Sequence, residues 1–232
     1  MKQQKEIIQK LDWDYLIVLD ACRADVFEQV NDIEGKYERV WSPASETYSW
    51  IKRMFPDYYN ITFYSGTPVI RALIKHGYNA DEHFAKIVDI WDWGFDPDLA
   101  TIPPWHVYEG SKDAKPVSII WFVQPHLPPV GDEEMMKIWK DIVDVRERRL
   151  AADIVIAREI RKGTLSPDRV RESYKRSLSI ALQYVKKLIE RFKGKIIVTA
   201  DHGEFLGEDG RWLHPDIEHP VLRTVPLLEV VK

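Results

Sequence analysis

Two uninterrupted apolar runs, one near each end of the chain, stop at an aspartate. Tyr15 to Leu19 (Y-L-I-V-L) runs into Asp20, and Ile196 to Val198 leads through Thr199 and Ala200 into Asp201-His202. Short runs of this kind, with no polar alternation, suit strands buried on both faces of a parallel sheet. Tyr37–Trp41, Ile61–Ser65, Val117–Val123 and Val225–Val231 read as further strands. The pattern between them is helical. A short helix follows Asp20, and Ser45 is placed to cap a helix with Trp50, Ile51, Met54 and Phe55 on one face and Pro56 at its end. Another is opened by Thr67-Pro68 and closed by His76-Gly77. Glu133 to Arg161 is helical with a break near Arg148, and Ser166-Pro167-Asp168 opens the longest helix. Its stripe of Val170, Tyr174, Leu178, Ala181, Val185, Leu188 and Phe192 keeps steps of three and four up to Gly194.

Residues 80 to 116 read as loop-rich, with Trp91, Trp93, Phe95 and Trp105 either rimming a substrate cleft or, the favoured reading, covering one side of a sheet in place of regular helix. The element order β-α-β-α-β-α-β-α-α-β-β predicts an α/β fold, a three-layer α/β/α sandwich around a mostly parallel central sheet. At 232 residues and 45% hydrophobic content the chain suits one domain spanning 1–232.

Charge and cysteine content narrow the classes. Net charge is −4 and cations are interspersed with acids, which leaves no nucleic-acid footprint. Cys22 is alone, so no disulfide forms within the chain. The charged start has no signal-peptide core, and no run approaches the ~20 apolar residues of a membrane span. A cytoplasmic protein is the expectation.

Ligands of open α/β sheets bind beyond the carboxyl ends of the strands. Asp20, Asp201 and His202 fall there, and Thr47 falls in a helix's first turn, where free N–H groups favour an anion beside its hydroxyl. Three oxygens and one nitrogen suit one divalent metal ion, Zn or Mn. A hydroxyl in that set is polarised toward alkoxide and can attack a phosphoric or sulfuric ester. His126, within Q-P-H-L-P-P, and His214 follow strands ending at the same edge, with His219 the alternative to His214. Arg23 reads either as a contact to the substrate anion or as an ion pair with Asp25 or a neighbouring carboxylate, and Glu204 as a group fixing His202 or its loop. His76 reads as a cation against a helix dipole, and His83 as an exposed loop residue.

The ordered elements V-L-D-A-C-R-A-D, S-P-A-S-E-T-Y-S-W, Q-P-H-L-P-P and T-A-D-H-G-E-F-L-G-E, followed by L-H-P, resemble the alkaline phosphatase and sulfatase superfamily, particularly the uncharacterised sulfatase-like proteins of archaea. The resemblance implies an alkaline-phosphatase-like fold with Asp20, Thr47, Asp201 and His202 around one metal. It also implies that His126 and His214 correspond to histidines that bind substrate or a second metal in members with a Thr nucleophile, such as phosphoethanolamine transferases and lipoteichoic acid synthases. The implied function is a metal-dependent hydrolase or transferase of small phosphoric esters, acting through a phosphoryl-Thr47 and assisted by His126 and Glu204. Two departures bear on this. The C-x-P-S-R element of sulfatases is absent, which makes sulfuric esters the alternative substrate; a non-catalytic metal-binding or regulatory domain is the alternative of another kind. The aspartate that two-metal members carry shortly before the His126 position is also missing from W-F-V-Q-P.

Overall fold

The computed structural model describes residues 1–144 and 152–232. Among the described residues ten strands form, in chain order: β1 (Lys2–Gln3), β2 (Tyr15–Leu19), β3 (Lys36–Trp41), β4 (Tyr59–Ser65), β5 (Phe84–Asp89), β6 (Ser118–Phe122), β7 (Lys195–Ala200), β8 (Phe205–Leu206), β9 (Trp212–Leu213) and β10 (Thr224–Val231). Ten α-helices accompany them: α1 (Gln4–Ile8), α2 (Ala24–Val30), α3 (Thr47–Met54), α4 (Val69–Ala72), α5 (Ile90–Gly94), α6 (Pro104–Ser111), α7 (Glu133–Asp144), α8 (Ala152–Lys162), α9 (Pro167–Arg191) and α10 (Pro220–Arg223).

Eight of these strands make one sheet in the order β1-β3-β10-β7-β2-β6-β4-β5, and β8 and β9 form a separate hairpin. Within that sheet β10 alone runs against its neighbours. Every residue of β2 and β6 is buried, as the apolar runs require when helices cover both faces. The two covers are distinguishable from the pleat. Tyr15 stacks on Phe192 at the end of α9, with ring centroids 3.9 Å apart. Trp121 lies on the opposite face from the Tyr15 row, and it meets Trp50 of α3 edge-on at 5.5 Å. So α9 covers one face, with α2, α6 and α7 packed on it, and α3 covers the other.

The α9 stripe is buried as its spacing predicts. Elsewhere the structure corrects the sequence reading. The cap of α3 is Glu46 rather than Ser45: its carboxylate accepts from Tyr48 N at 2.9 Å and Ser49 N at 2.7 Å, satisfying two of the helix's free donors at once. The stretch from 80 to 116 is not loop. It contains edge strand β5 and helices α5 and α6, and Trp105 packs on Tyr184 of α9 at 6.1 Å. His83 is half-buried and stacks on Tyr78 at 3.9 Å, so it is not a free loop residue. The expected break near Arg148 lies outside the described residues.

Candidate active site and metal centre

Parallel β2 and β7 are neighbours in register, Leu19 opposite Ala200, so the residues that follow each strand, Asp20 and Asp201, emerge side by side at one edge. The turn after β2 is tight. Ala21 adopts φ 56, a left-handed conformation that costs an L-residue about 1–2 kcal/mol. It is held from both sides: Ala21 N donates to Asp201 Oδ1 at 2.9 Å, and the buried Tyr174 hydroxyl donates to Ala21 O at 2.7 Å. Asp201 Oδ1 also accepts from His202 N at 2.8 Å, and the Ser42 hydroxyl donates to Asp201 O. These contacts occupy one carboxylate oxygen of Asp201 and leave Oδ2 facing inward.

Thr47, first residue of α3, meets that oxygen. Its Oγ1 donates to Asp201 Oδ2 at 2.8 Å and lies 3.3 Å from His202 Nε2. Nδ1 of His202 faces the Gly203 carbonyl at 2.8 Å. A carbonyl only accepts, so Nδ1 carries the hydrogen and neutral His202 presents a bare Nε2 to the site. That nitrogen stands 3.2 Å from Asp201 Oδ2 and 4.0 Å from Asp20 Oδ1. Asp20 Oδ2 accepts from Trp121 Nε1 at 3.3 Å. Burial, with the adjacent Asp201 charge, pushes the Asp20 carboxyl well above the usual range.

A second group lies beside the first. His126 Nε2 and His214 Nε2 are 2.8 Å apart, and His126 Nε2 is 4.0 Å from Glu204 Oε2. The His214 ring packs on His202 at 4.3 Å between centroids, which joins the two groups. Glu204 Oε2 and His214 Nδ1 are buried without a hydrogen-bond partner among the described residues. Burial raises the Glu204 carboxyl to about 7. Burial and the two neighbouring imidazoles hold His214 well below the usual histidine range.

Both groups fit a divalent cation. In the first, one ligand atom from each of Asp20, Asp201 and His202 lies within 4.8 Å of the others, and so do those of His126, Glu204 and His214 in the second. Ligands about 2.0–2.2 Å from a zinc ion stand about 3.3–3.6 Å from one another, close to the Thr47–His202 and Asp201–His202 separations. Two adjacent buried carboxylates and an unpartnered buried carboxylate oxygen are each an imbalance that positive charge relieves.

The remaining expected residues fall as follows. Arg23 turns its guanidinium to Asp25, through two bonds at 2.9 and 2.7 Å, and to Glu208 at 2.6 Å, with a further bond to Glu204 O at 3.2 Å. His219 caps α10, Nδ1 accepting from Val221 N at 3.2 Å, while its ring packs on Phe205. It stands apart from the histidine pair. Glu204 does not hydrogen-bond the His202 ring, whose Nδ1 is taken by Gly203; it turns toward His126 instead. A carboxylate three residues beyond Asp201 is visible in the sequence. Its direction is not, because it depends on the β8–β9 hairpin folding the following loop back over the edge.

No protein-family model matches the chain, and no curated protein does. Solved structures do. The chain aligns over 93% of its length, at 15% identity and a TM-score of 0.60, with the integral membrane protein lipooligosaccharide phosphoethanolamine transferase A (EptA) from Neisseria meningitidis, and spans 46% of that protein. It aligns over 94% of its length with the C-terminal periplasmic domain of EptC from Escherichia coli in complex with Zn, at 12% identity and a TM-score of 0.52, spanning 72% of that chain. The lipoteichoic acid synthase LtaP from Listeria monocytogenes gives 95%, 13%, 0.52 and 65% for the same four measures. The fold is alkaline-phosphatase-like. Among the described residues no helix is long and apolar enough to cross a membrane.

Proposed function

We propose that this chain is a divalent-metal-dependent transferase or hydrolase of phosphoric esters in the alkaline phosphatase superfamily, with Thr47 as nucleophile. One observation carries the reading: Thr47 Oγ1 sits within hydrogen-bonding reach of both Asp201 Oδ2 and His202 Nε2, on a buried edge that also holds Asp20. The activities named for those structural neighbours, phosphoethanolamine transfer and lipoteichoic acid synthesis, support the same class.

A divalent cation held by Asp20, Thr47, Asp201 and His202, zinc or manganese, supplies positive charge that lowers the hydroxyl's pKa and offsets charge gathering on the phosphoryl oxygens. Thr47 Oγ1 gives up its proton to solvent as it bonds to phosphorus and the bond to the leaving oxygen breaks. His126 Nε2 gives that oxygen its proton. His214, with Glu204 behind it, holds the non-bridging oxygens or, with His126, a second cation. Water or an acceptor alcohol then attacks the phosphoryl-Thr47, yields its proton to His126, and the departing Thr47 Oγ1 regains a proton from solvent. With its guanidinium shared between two carboxylates, Arg23 supports the loop after Asp20 rather than the anion. On its own residues, a lone buried Cys22 among them, we read residues 1–232 as a single cytoplasmic domain, although the EptC neighbour is a periplasmic domain.

The test is turnover of 4-nitrophenyl phosphate and 4-nitrophenyl sulfate with zinc or manganese, followed by mass spectrometry of the Thr47 peptide. Phosphate turnover with a phosphoryl group on Thr47 is expected; sulfate turnover alone would replace this reading with a sulfatase.

A further inference from the structure

Three buried side chains beneath the site join the elements that bring its groups together. Gln4, the first residue of α1, is wholly buried, and its amide makes three hydrogen bonds. Nε2 donates to Thr199 Oγ1 at 2.8 Å and to Ala200 O at 2.6 Å, while Oε1 accepts from Trp50 Nε1 at 2.8 Å. Ala200 is the residue before Asp201. Trp50 lies one turn along α3 from Thr47. The Trp50 ring meets Trp121 edge-on, and Trp121 Nε1 donates to Asp20 Oδ2 at 3.3 Å. Thr199 in turn donates to Pro226 O of β10 at 2.6 Å. Gln4 is itself delivered by β1, whose Gln3 pairs with Trp41 at the end of β3, the edge where the site lies.

From this geometry we infer that Gln4, Trp50 and Trp121 act as positioning residues that set the spacing between Thr47, Asp201 and Asp20. The inference rests on the proposed function for what that spacing achieves, but not for its existence. Leucine would fill the Gln4 volume and burial alone would be kept. A primary amide is needed because the three partners are two acceptors on β7 and one donor on α3, and only a side chain carrying both an NH2 and a carbonyl satisfies all three. A buried amide bonded to three partners holds them to one arrangement, and losing one partner leaves another stranded. Outer partners of metal ligands commonly change metal affinity or rate by about 10–100-fold without touching substrate.

The experiment compares wild type, Gln4→Leu, Trp50→Phe and the double variant, each checked for folding by thermal melt and near-ultraviolet circular dichroism. Zinc affinity is read by competition with a chromophoric chelator, alongside kcat and KM for 4-nitrophenyl phosphate. Each single variant is expected to weaken zinc binding and lower kcat by about 10-fold or more, with KM within about twofold, and the double variant to be no worse than the poorer single one. Folded variants with unchanged zinc affinity and kcat would overturn the inference, and so would losses that multiply in the double variant. If Gln4→Leu does not fold, Trp50→Phe, which removes the indole donor and leaves a smaller ring in the same place, decides by the same readouts in its folded state. A wild type that binds zinc but turns over no phosphate ester removes the proposed function alone, and the zinc measurements still decide this inference. A wild type that binds neither zinc nor manganese overturns both.

Discussion

Thr47 Oγ1 and Asp201 Oδ2 stand 2.8 Å apart although 154 residues separate them in the chain. Nothing local holds them there: Thr47 is placed by a helix cap and Asp201 by a central strand. The hydroxyl donates to that one carboxylate oxygen, and the other oxygen of Asp201 is already occupied by two backbone N–H groups. Replacing Thr47 by Ala is expected to lower turnover of 4-nitrophenyl phosphate by roughly a thousandfold or more with the thermal midpoint little changed, whereas Thr47→Ser retains measurable turnover. A Thr47→Ala protein that keeps wild-type kcat would remove the nucleophile from the scheme.

Asp201 has tasks on both of its oxygens, so its removal should show in metal content as well as rate. In Asp201→Ala, elemental analysis after dialysis is expected to find zinc or manganese reduced by more than the roughly 10–100-fold typical of an outer partner. Unchanged metal content in a folded variant would mean that the cluster of Asp20, Asp201 and His202 is not the metal centre.

The histidines following β9 separate cleanly. His214 touches the site through His126 and His202, and His219 is the cap of a four-residue helix. His214→Ala should depress kcat/KM by about 10-fold or more. His219→Ala should leave kinetics near wild type and cost about 1 kcal/mol in urea unfolding. The reverse assignment of effects would exchange their roles.

Glu46 is expected to matter through α3. Its carboxylate closes two backbone donors at the helix start that presents Thr47. Glu46→Ala should cost about 1 kcal/mol of stability, and Glu46→Gln less, because an amide oxygen still accepts. Equal stability of all three proteins by denaturant titration would deny the cap any energetic role.

Much of this placement is legible in residue order alone, and the parts that are not have identifiable causes. The runs at Tyr15–Leu19 and Ile196–Val198 stand out because a doubly buried strand has little room for polar side chains. Strand β5, F-A-K-I-V-D, lies at the sheet's edge with Ala85 and Lys86 open to solvent, and a half-exposed edge carries little of that pattern. The two residues of β1 are too few for any periodicity to show. Ser45 and Glu46 are both chemically able to cap, and only the backbone direction entering α3 selects Glu46. Glu204 is legible as an acid of the site, but which imidazole it faces depends on a hairpin whose strands have two residues each.

The Arg23 cluster makes a pH prediction. Burial works to raise the Asp25 and Glu208 carboxyls, and the hydrogen-bonded guanidinium of Arg23 outweighs it, holding both below the ordinary range. Groups depressed in the folded state add stability that is present above their unfolded pKa, about 4, and is lost as pH falls through the lower folded value. The stability difference between wild type and Arg23→Gln should therefore be full at neutral pH and shrink below about pH 4. A difference that grows on acidification would contradict the assigned pairing.

The reversed strand β10 has a consequence for the order in which the molecule can be made. Among the described strands it is the link between β3, which leads to Thr47, and β7, which leads to Asp201. A nascent polypeptide halted before Thr224 would hold the nucleophile's half and the acid's half without the seam that joins them. Under the proposed function, a chain truncated before Thr224 is expected to keep Thr47 and Asp201 linked by side-chain contacts alone and to turn over little 4-nitrophenyl phosphate.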